Sequence, residues 1–184
     1  MPDDTDRDQV PSPAGALMGG IAVRVCAVIL QGREMCVIHR ERPDGDQYSL
    51  PGGLVSPQED LSKALARELR EELGLDVTSL PSAPRLLWVQ DQITTRPGAG
   101  TGGQPFRRLH LIHLLRVPLN VRRTLAGAEL DAKDPTRVVW VDVVRAAGLH
   151  LYPAVGDALA SLPGPATATT VLLPPITDLT FRWR

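Results

Sequence analysis

Residues 53–75 read GLVSPQEDLSKALARELREELGL, and the run Asp60–Leu73 within them holds neither glycine nor proline. Asp60 is a residue type that accepts hydrogen bonds from the free N–H groups of a first helical turn, and Gly74 is the type that stops a last one. The spacing therefore predicts a helix over 60–73. At about 3.6 residues per turn, Leu61, Leu65, Leu69 and Leu73 form one stripe, suited to pack on a sheet. Glu68, Glu71 and Glu72 stand at i, i+3 and i+4 and share the neighbouring face, while Lys63, Arg67 and Arg70 take the outward side. Three carboxylates so close repel one another unless cations compensate. Two readings meet that need: a solvated acidic face with Arg67 and Arg70 as counter-ions, or a site for a hard cation, since Mg²⁺ and Mn²⁺ take oxygen ligands.

Outward from this helix, the chain has the size of one domain with modest tails, at 184 residues and 19.9 kDa. Twenty basic against 21 acidic residues leave a net charge of −1. That balance speaks against a dedicated nucleic-acid or membrane-surface binder, which carries a basic excess. Aromatic residues make up 4%, too few for base-stacking platforms. Cys26 and Cys36 are the two cysteines, so neither a disulfide scaffold nor a zinc site of Cys ligands is supported, and a reducing cytoplasm is expected. The N-terminus is acidic where a secretory signal is positive. The apolar stretch 10–23 is broken by Pro11, Pro13 and Gly15 and stops at Arg24, short of a membrane span.

Residues 1–18 read as a disordered lead-in. The β-branched run 21–30 suits a buried strand, with Met35–His39 as its hairpin partner and a charged loop over 40–47. Leu86–Ile93 and Phe106–Val117 read as strands, the second apolar on both faces and so central in a sheet. Val138–Val141 is a further strand, with short helices at Val143–Ala147 and Tyr152–Leu162. The tail from Pro163 carries two strand-like pieces, Thr170–Leu173 and Leu179–Trp183, which suit the edge of the sheet or pairing with a second copy of the chain as a homodimer.

Gly53, then five residues, Glu59, then seven, then Arg67-Glu68-Leu69-Arg70-Glu71-Glu72-Leu73-Gly74-Leu75, resembles the Nudix box, G-x5-E-x7-R-E-U-x-E-E-x-G-U with U aliphatic, at every specified position. The lead-in Tyr48–Gly53 and the order of elements over 19–162 also look like a Nudix domain, with 163–184 as an extension beyond it. The resemblance implies an α/β/α sandwich around a mixed sheet, with the box as a loop–helix–loop. It implies Mg²⁺-dependent hydrolysis of a diphosphate linkage in a nucleoside diphosphate joined to another group, such as a nucleoside triphosphate or ADP-ribose, with Mn²⁺ as a substitute ion. Carried over, Glu68, Glu71, Glu72 and the Gly53 carbonyl match metal ligands, Arg67 holds the carboxylates, and Glu59 supports the loop. Glu59, Arg67, Glu71 and Glu72 are the catalytic candidates. Asp134, six residues before Trp140, and Glu129 match late acidic residues, each with an exposed loop carboxylate as its plain alternative.

Arg40, after the second strand, stands where relatives place a phosphate-contacting arginine, though a solvated basic loop also explains it. Trp88, Tyr152 and Tyr48 read chiefly as packing, His110 and His113 as core or edge histidines, and the glycine-rich 96–105 as a hairpin connection. A small nucleotide is the expected partner. The competing class is a non-catalytic nucleotide sensor of Nudix-like fold, which commonly loses box carboxylates that this chain keeps.

Overall fold

The computed structural model describes residues 20–95, 105–161 and 171–182. The lead-in 1–18 and nearly all of the 96–105 connection lie outside the described residues. Eight strands form one mixed sheet: β1 (Ala22–Gln31), β2 (Glu34–Arg40), β3 (Gln47–Ser49), β4 (Arg85–Thr95), β5 (Pro105–Arg116), β6 (Arg137–Asp142), β7 (Leu151–Tyr152) and β8 (Leu172–Thr177). Their order is β7-β3-β2-β1-β5-β4-β8, with β6 on the free edge of β2. β5 is central, parallel to β1 and antiparallel to β4. Among the described residues no helix is long and apolar enough to cross a membrane.

β1 is apolar except at Arg24 and Gln31 because it is covered on both faces. Val25, Ala27 and Ile29 face helix α1 (Leu61–Leu73), beside Ala64, Leu65, Leu69 and Leu73. Cys26, Val28 and Leu30 face the other way, toward Trp88 and Ile112 and toward Ala146 and Leu159, from a 3₁₀ turn (Val143–Gly148) and the short helix α3 (Gly156–Ala160). A four-residue helix, α2 (Leu119–Arg122), follows β5. The layers are thus helix, sheet and helix, with α1 the one long helix among the described residues.

The ends of α1 form as its sequence demands. The Asp60 side chain accepts from Lys63 N at 2.9 Å. Gly74 adopts φ 69°, and its N–H and that of Leu75 bond back to Arg70 O and Leu69 O at 2.9 and 3.1 Å. The leucine stripe is shorter than expected: Leu61, in the first turn, is 44% exposed.

The feature that places the box is a fork in the sheet. β2 pairs with β1 only through Glu34, Met35 and Cys36, then passes to β3 through Ile38, His39 and Arg40. The edge of β1 thereby vacated is taken by the loop ahead of α1: Ala27 N donates to Pro51 O (2.9 Å), Val25 N to Gly53 O (3.0 Å) and Val55 N to Val23 O (3.0 Å). At Gly52, φ is +130° and a Cβ would lie 2.2 Å from Val25 O and 2.6 Å from Cys26 Cα, so only glycine fits there.

Two expectations for the C-terminal half need correction. The tail strand described is Leu172–Thr177 where 170–173 was expected, Thr170 lying outside the described residues, and it runs through Pro174 and Pro175, which an edge strand tolerates. Residues 179–182 are not strand: a turn over Asp178–Thr180 intervenes, and Trp183 lies outside the described residues. The expected helices differ too: residues 143–148 form a 3₁₀ rather than an α turn, and α-helix covers 156–160 of the expected 152–162, of which Leu162 lies outside the described residues.

Gly52→Ala is expected to destabilise the fold by about 1–3 kcal/mol through the clash with β1, read as a lower urea midpoint. An unchanged midpoint would contradict the pairing of this loop with β1.

Candidate active site

The forked loop and the glutamate face of α1 meet at residues 52–54. Glu72, buried, accepts from Gly52 N at 2.7 Å through Oε2. The Glu68 carboxylate lies against the α-carbon of Gly53, where an added Cβ would come within 2.3 Å of it. Close approach to strand backbone therefore requires glycine at 52, whereas a side chain at 53 would have to push the Glu68 carboxylate aside.

Arg67 is the hub of the charges. Its guanidinium donates to Glu59 (2.6 and 3.1 Å), Glu68 (2.7 Å), Glu71 (3.0 Å) and the carbonyl of Leu54 (3.1 Å). Arg67 holds the Glu59 carboxyl down to about 2, helped by the Ser56 N–H. Glu68 moves the other way: burial raises it, and Arg67 only partly offsets that. Burial also pushes Glu72 up to about 8, against the lowering effects of the Gly52 N–H and Arg24 and with the charges of Glu129 and Glu68 adding to the rise.

Two adjoining hollows open beside Glu72. The nearer, about 270 Å³, is lined by Arg24, Arg40, Arg42, Gln47, Ser49, Glu72 and Tyr152. The outer, about 400 Å³, shares Arg40 and Arg42 and extends to Asp134 and Arg137. The nearer one adjoins the carboxylate helix and is taken as the cleft. Arg24 donates to the carbonyls of Leu50 (3.2 Å) and Gly52, while its Nη1 is buried with no hydrogen-bond partner among the described residues. Its guanidinium also lies over the Tyr152 ring at 5.6 Å.

The residues singled out in the sequence fall into three groups. Gly53, Glu59, Arg67, Glu68, Glu71 and Glu72 come together at the loop–helix junction. The Gly53 carbonyl already accepts from Val25 N, which leaves its second lone pair. Glu68 and Glu71 turn to Arg67, Glu72 turns to Gly52, and among the described residues no three acidic, histidine or cysteine side chains close on one point. Arg40 reaches the cleft, but its guanidinium is engaged by Ser49 (2.8 Å) and by both oxygens of the buried Glu129 (2.5 and 2.6 Å). Asp134 is apart from these: it is exposed on the outer hollow and pairs with Arg42 at 3.6 Å.

Arg24 and Gln47 were missed as cleft residues, and Tyr152 was read mainly as packing. Arg24 carried a signal, as the single charge inside the apolar run 21–30. Trp88 is core, as expected. Behind Tyr152 lies a polar network: its hydroxyl donates to Gln92 Oε1 (2.7 Å) and accepts from Arg108 (2.8 Å), and His110 Nε2 meets the same Gln92 oxygen at 2.9 Å.

The NUDIX domain family matches residues 20–155. The chain belongs to the Nudix family. It is 32% identical over 140 residues to a Mycobacterium tuberculosis (strain CDC 1551 / Oshkosh) protein named "Putative 8-oxo-dGTP diphosphatase 2", covering 75% of this chain and 85% of that one. The crystal structure of a MutT protein from Bacillus halodurans superposes with TM-score 0.60 at 12% identity, over 87% of this chain and 93% of that one. That of a MutT protein from Methanosarcina mazei gives TM-score 0.52 at 20% identity, over 78% and 94%. Both structures share the Nudix fold. The protein is a Nudix-type pyrophosphohydrolase that acts on acid anhydrides of nucleotides.

His110 supplies a pH dependence. Burial, with Arg24 and Arg108 adding repulsion, pushes its imidazole from 6.5 down to about 2. Between those values the unfolded chain binds a proton that the native state does not. Stability is therefore full above pH 6.5, and below that it falls by about 1.4 kcal/mol per pH unit from this group. His110→Gln is expected to flatten that part of the acid limb in urea titrations; a slope equal to wild type would contradict the burial of a neutral imidazole.

Proposed function

We propose that this Nudix enzyme hydrolyses a nucleoside triphosphate, with Mg²⁺ as its ion and Mn²⁺ as a substitute. The observation that carries this reading is the cleft itself: Arg24, Arg40 and Arg42 line one hollow whose further wall is Glu72 of the carboxylate helix. Guanidinium groups recognise phosphate oxygens by charge-assisted hydrogen bonds, and three around one small hollow suit a polyphosphate rather than a neutral ligand. The name of the mycobacterial relative supports an oxidised purine deoxynucleotide of the 8-oxo-dGTP class. The two cysteines, both free and buried, are consistent with a cytoplasmic setting.

The donor set fits the ion. Glu68, Glu71, Glu72 and the Gly53 carbonyl offer only oxygen, the choice of Mg²⁺ and Mn²⁺, and the buried Glu72 holds one backbone N–H against two nearby carboxyl charges, Glu129 and Glu68. When bound, such an ion offsets phosphate charge and acidifies the attacking water.

The chain's own groups do the rest. Arg67 keeps Glu68 and Glu71 side by side against their repulsion, and Glu59 fixes Arg67 from the loop. Arg24 offers its unpartnered Nη1 to a phosphate oxygen, and Arg40 offers its guanidinium when Glu129 yields it. Glu72 takes the proton of the attacking water on Oε1, the oxygen not engaged by Gly52. The water oxygen bonds to phosphorus, the phosphoanhydride bond breaks, and the released phosphate leaves with its electron pair. Asp134, on the outer hollow, acts on neither phosphate nor water in this scheme.

The test is phosphate or pyrophosphate release from a panel of nucleoside triphosphates, 8-oxo-dGTP and ADP-ribose, with Mg²⁺ and then with chelator. Turnover of a triphosphate that chelator abolishes and Glu72→Gln reduces by about 100-fold or more is the expected result. Silence across the panel from folded protein, or a fully active Glu72→Gln, would overturn the reading.

A further inference from the structure

Residues 171–182 lie beyond the stretch that the family matches, yet they reach the wall of the cleft. β8 runs parallel to the outer edge of β4. Gln90 Nε2 donates both to Pro174 O of β8 (2.9 Å) and to Ala154 O (3.0 Å), tying the new edge to the segment just after Tyr152. The Asp178 carboxylate then accepts from Thr95 N (2.9 and 3.0 Å), and Thr180 Oγ1 accepts from Thr177 N (2.8 Å), which turns the chain back over the sheet. The turn delivers Phe181, 6% exposed, onto His150 (ring centroids 4.6 Å, planes 18° apart) and Tyr152 (5.6 Å, 53°). Tyr152, Ile176 and Phe181 close a small apolar cluster with Ala154.

Tyr152 is the link from that cluster to the cleft. It ends the two-residue strand β7, which among the described residues pairs only with β3, so little ladder holds its ring. Its position is set instead by its neighbours: Gln92 and Arg108 at the hydroxyl, Phe181 at the ring, and Arg24 above it. A large-to-small change at Phe181 leaves a void beside the ring that nearby chain refills only in part.

We propose that Phe181 is a positioning residue of the substrate cleft: it fixes the Tyr152 ring and, through that ring, the Arg24 guanidinium beside Glu72. The inference rests on the reading above that this cleft receives the nucleotide. It makes the C-terminal segment, and not only the box, a determinant of how tightly substrate is held.

Tyr48 and Tyr152 are the two tyrosines of the chain, so full-length protein labelled with 3-fluorotyrosine carries two ¹⁹F resonances, assigned with Tyr48→Phe. Phe181→Ala is expected to shift or broaden the Tyr152 resonance and to leave that of Tyr48 in place. It is also expected to raise KM about tenfold with kcat within about twofold of wild type, the pattern of lost ground-state binding. Phe181→Leu, which keeps most of the apolar volume, should fall between the two, and it carries the test if the alanine variant does not fold. A merely structural residue would lower the folded fraction and kcat and leave KM unchanged. An unmoved Tyr152 resonance, or a moved one with unchanged KM, overturns the proposal. Should wild type turn over no nucleotide, the functional reading falls separately, and the Tyr152 resonance alone decides whether Phe181 positions that ring.

Discussion

Everything at the site depends on one piece of backbone pairing, the seating of residues 51–55 on the edge of β1 that β2 vacates. Three main-chain hydrogen bonds, from Ala27 N, Val25 N and Val55 N, lay the loop across the strand. Once it is there, Gly52 has no room for a side chain against the backbone of β1, and Gly53 lies against the Glu68 carboxylate of α1. The same pairing presents the carbonyls of Leu50 and Gly52 to Arg24 and the N–H of Gly52 to Glu72. Loop, strand and helix are thus locked by contacts that each need the other two.

The charges follow from that geometry. Arg67 can serve Glu59, Glu68, Glu71 and Leu54 O together because the loop and the helix face each other across its guanidinium. Glu72 is the member that Arg67 does not reach among the described residues, and burial pushes its carboxyl up to about 8.

The box helix was legible because its information is local. The N-cap Asp60, the glycine stop at 74, the unbroken run between them and the i, i+3, i+4 glutamates all lie within one window. β1 and β5 were legible for a related reason: a strand covered on both faces carries apolar residues on both, as in Val25–Leu30 of β1 and Leu109, Leu111, Ile112, Leu114 and Leu115 of β5. What was not legible depends on partners far away in the chain. Arg40 and Glu129 are 89 positions apart, and nothing near either one announces the pair. β8 carries two prolines and reads as a poor strand, but it needs only one partner, β4, and lies at an edge. Tyr152 reads as core and is core, with one side left on the cleft. Leu61 shows the limit of a helical wheel, since the first turn of α1 runs past the sheet it was expected to cover.

The central claim is that the glutamate face of α1, brought against the box loop, holds a divalent cation. Mn²⁺ binding read by electron paramagnetic resonance addresses it without turnover, since free Mn²⁺ gives a sharp signal that binding removes. Wild type is expected to quench that signal with a saturable isotherm, and Glu68→Gln, folded as judged by circular dichroism, to weaken binding by about tenfold or more. A wild type that leaves the free Mn²⁺ signal untouched, or a Glu68→Gln variant that binds as tightly as wild type, would contradict the account.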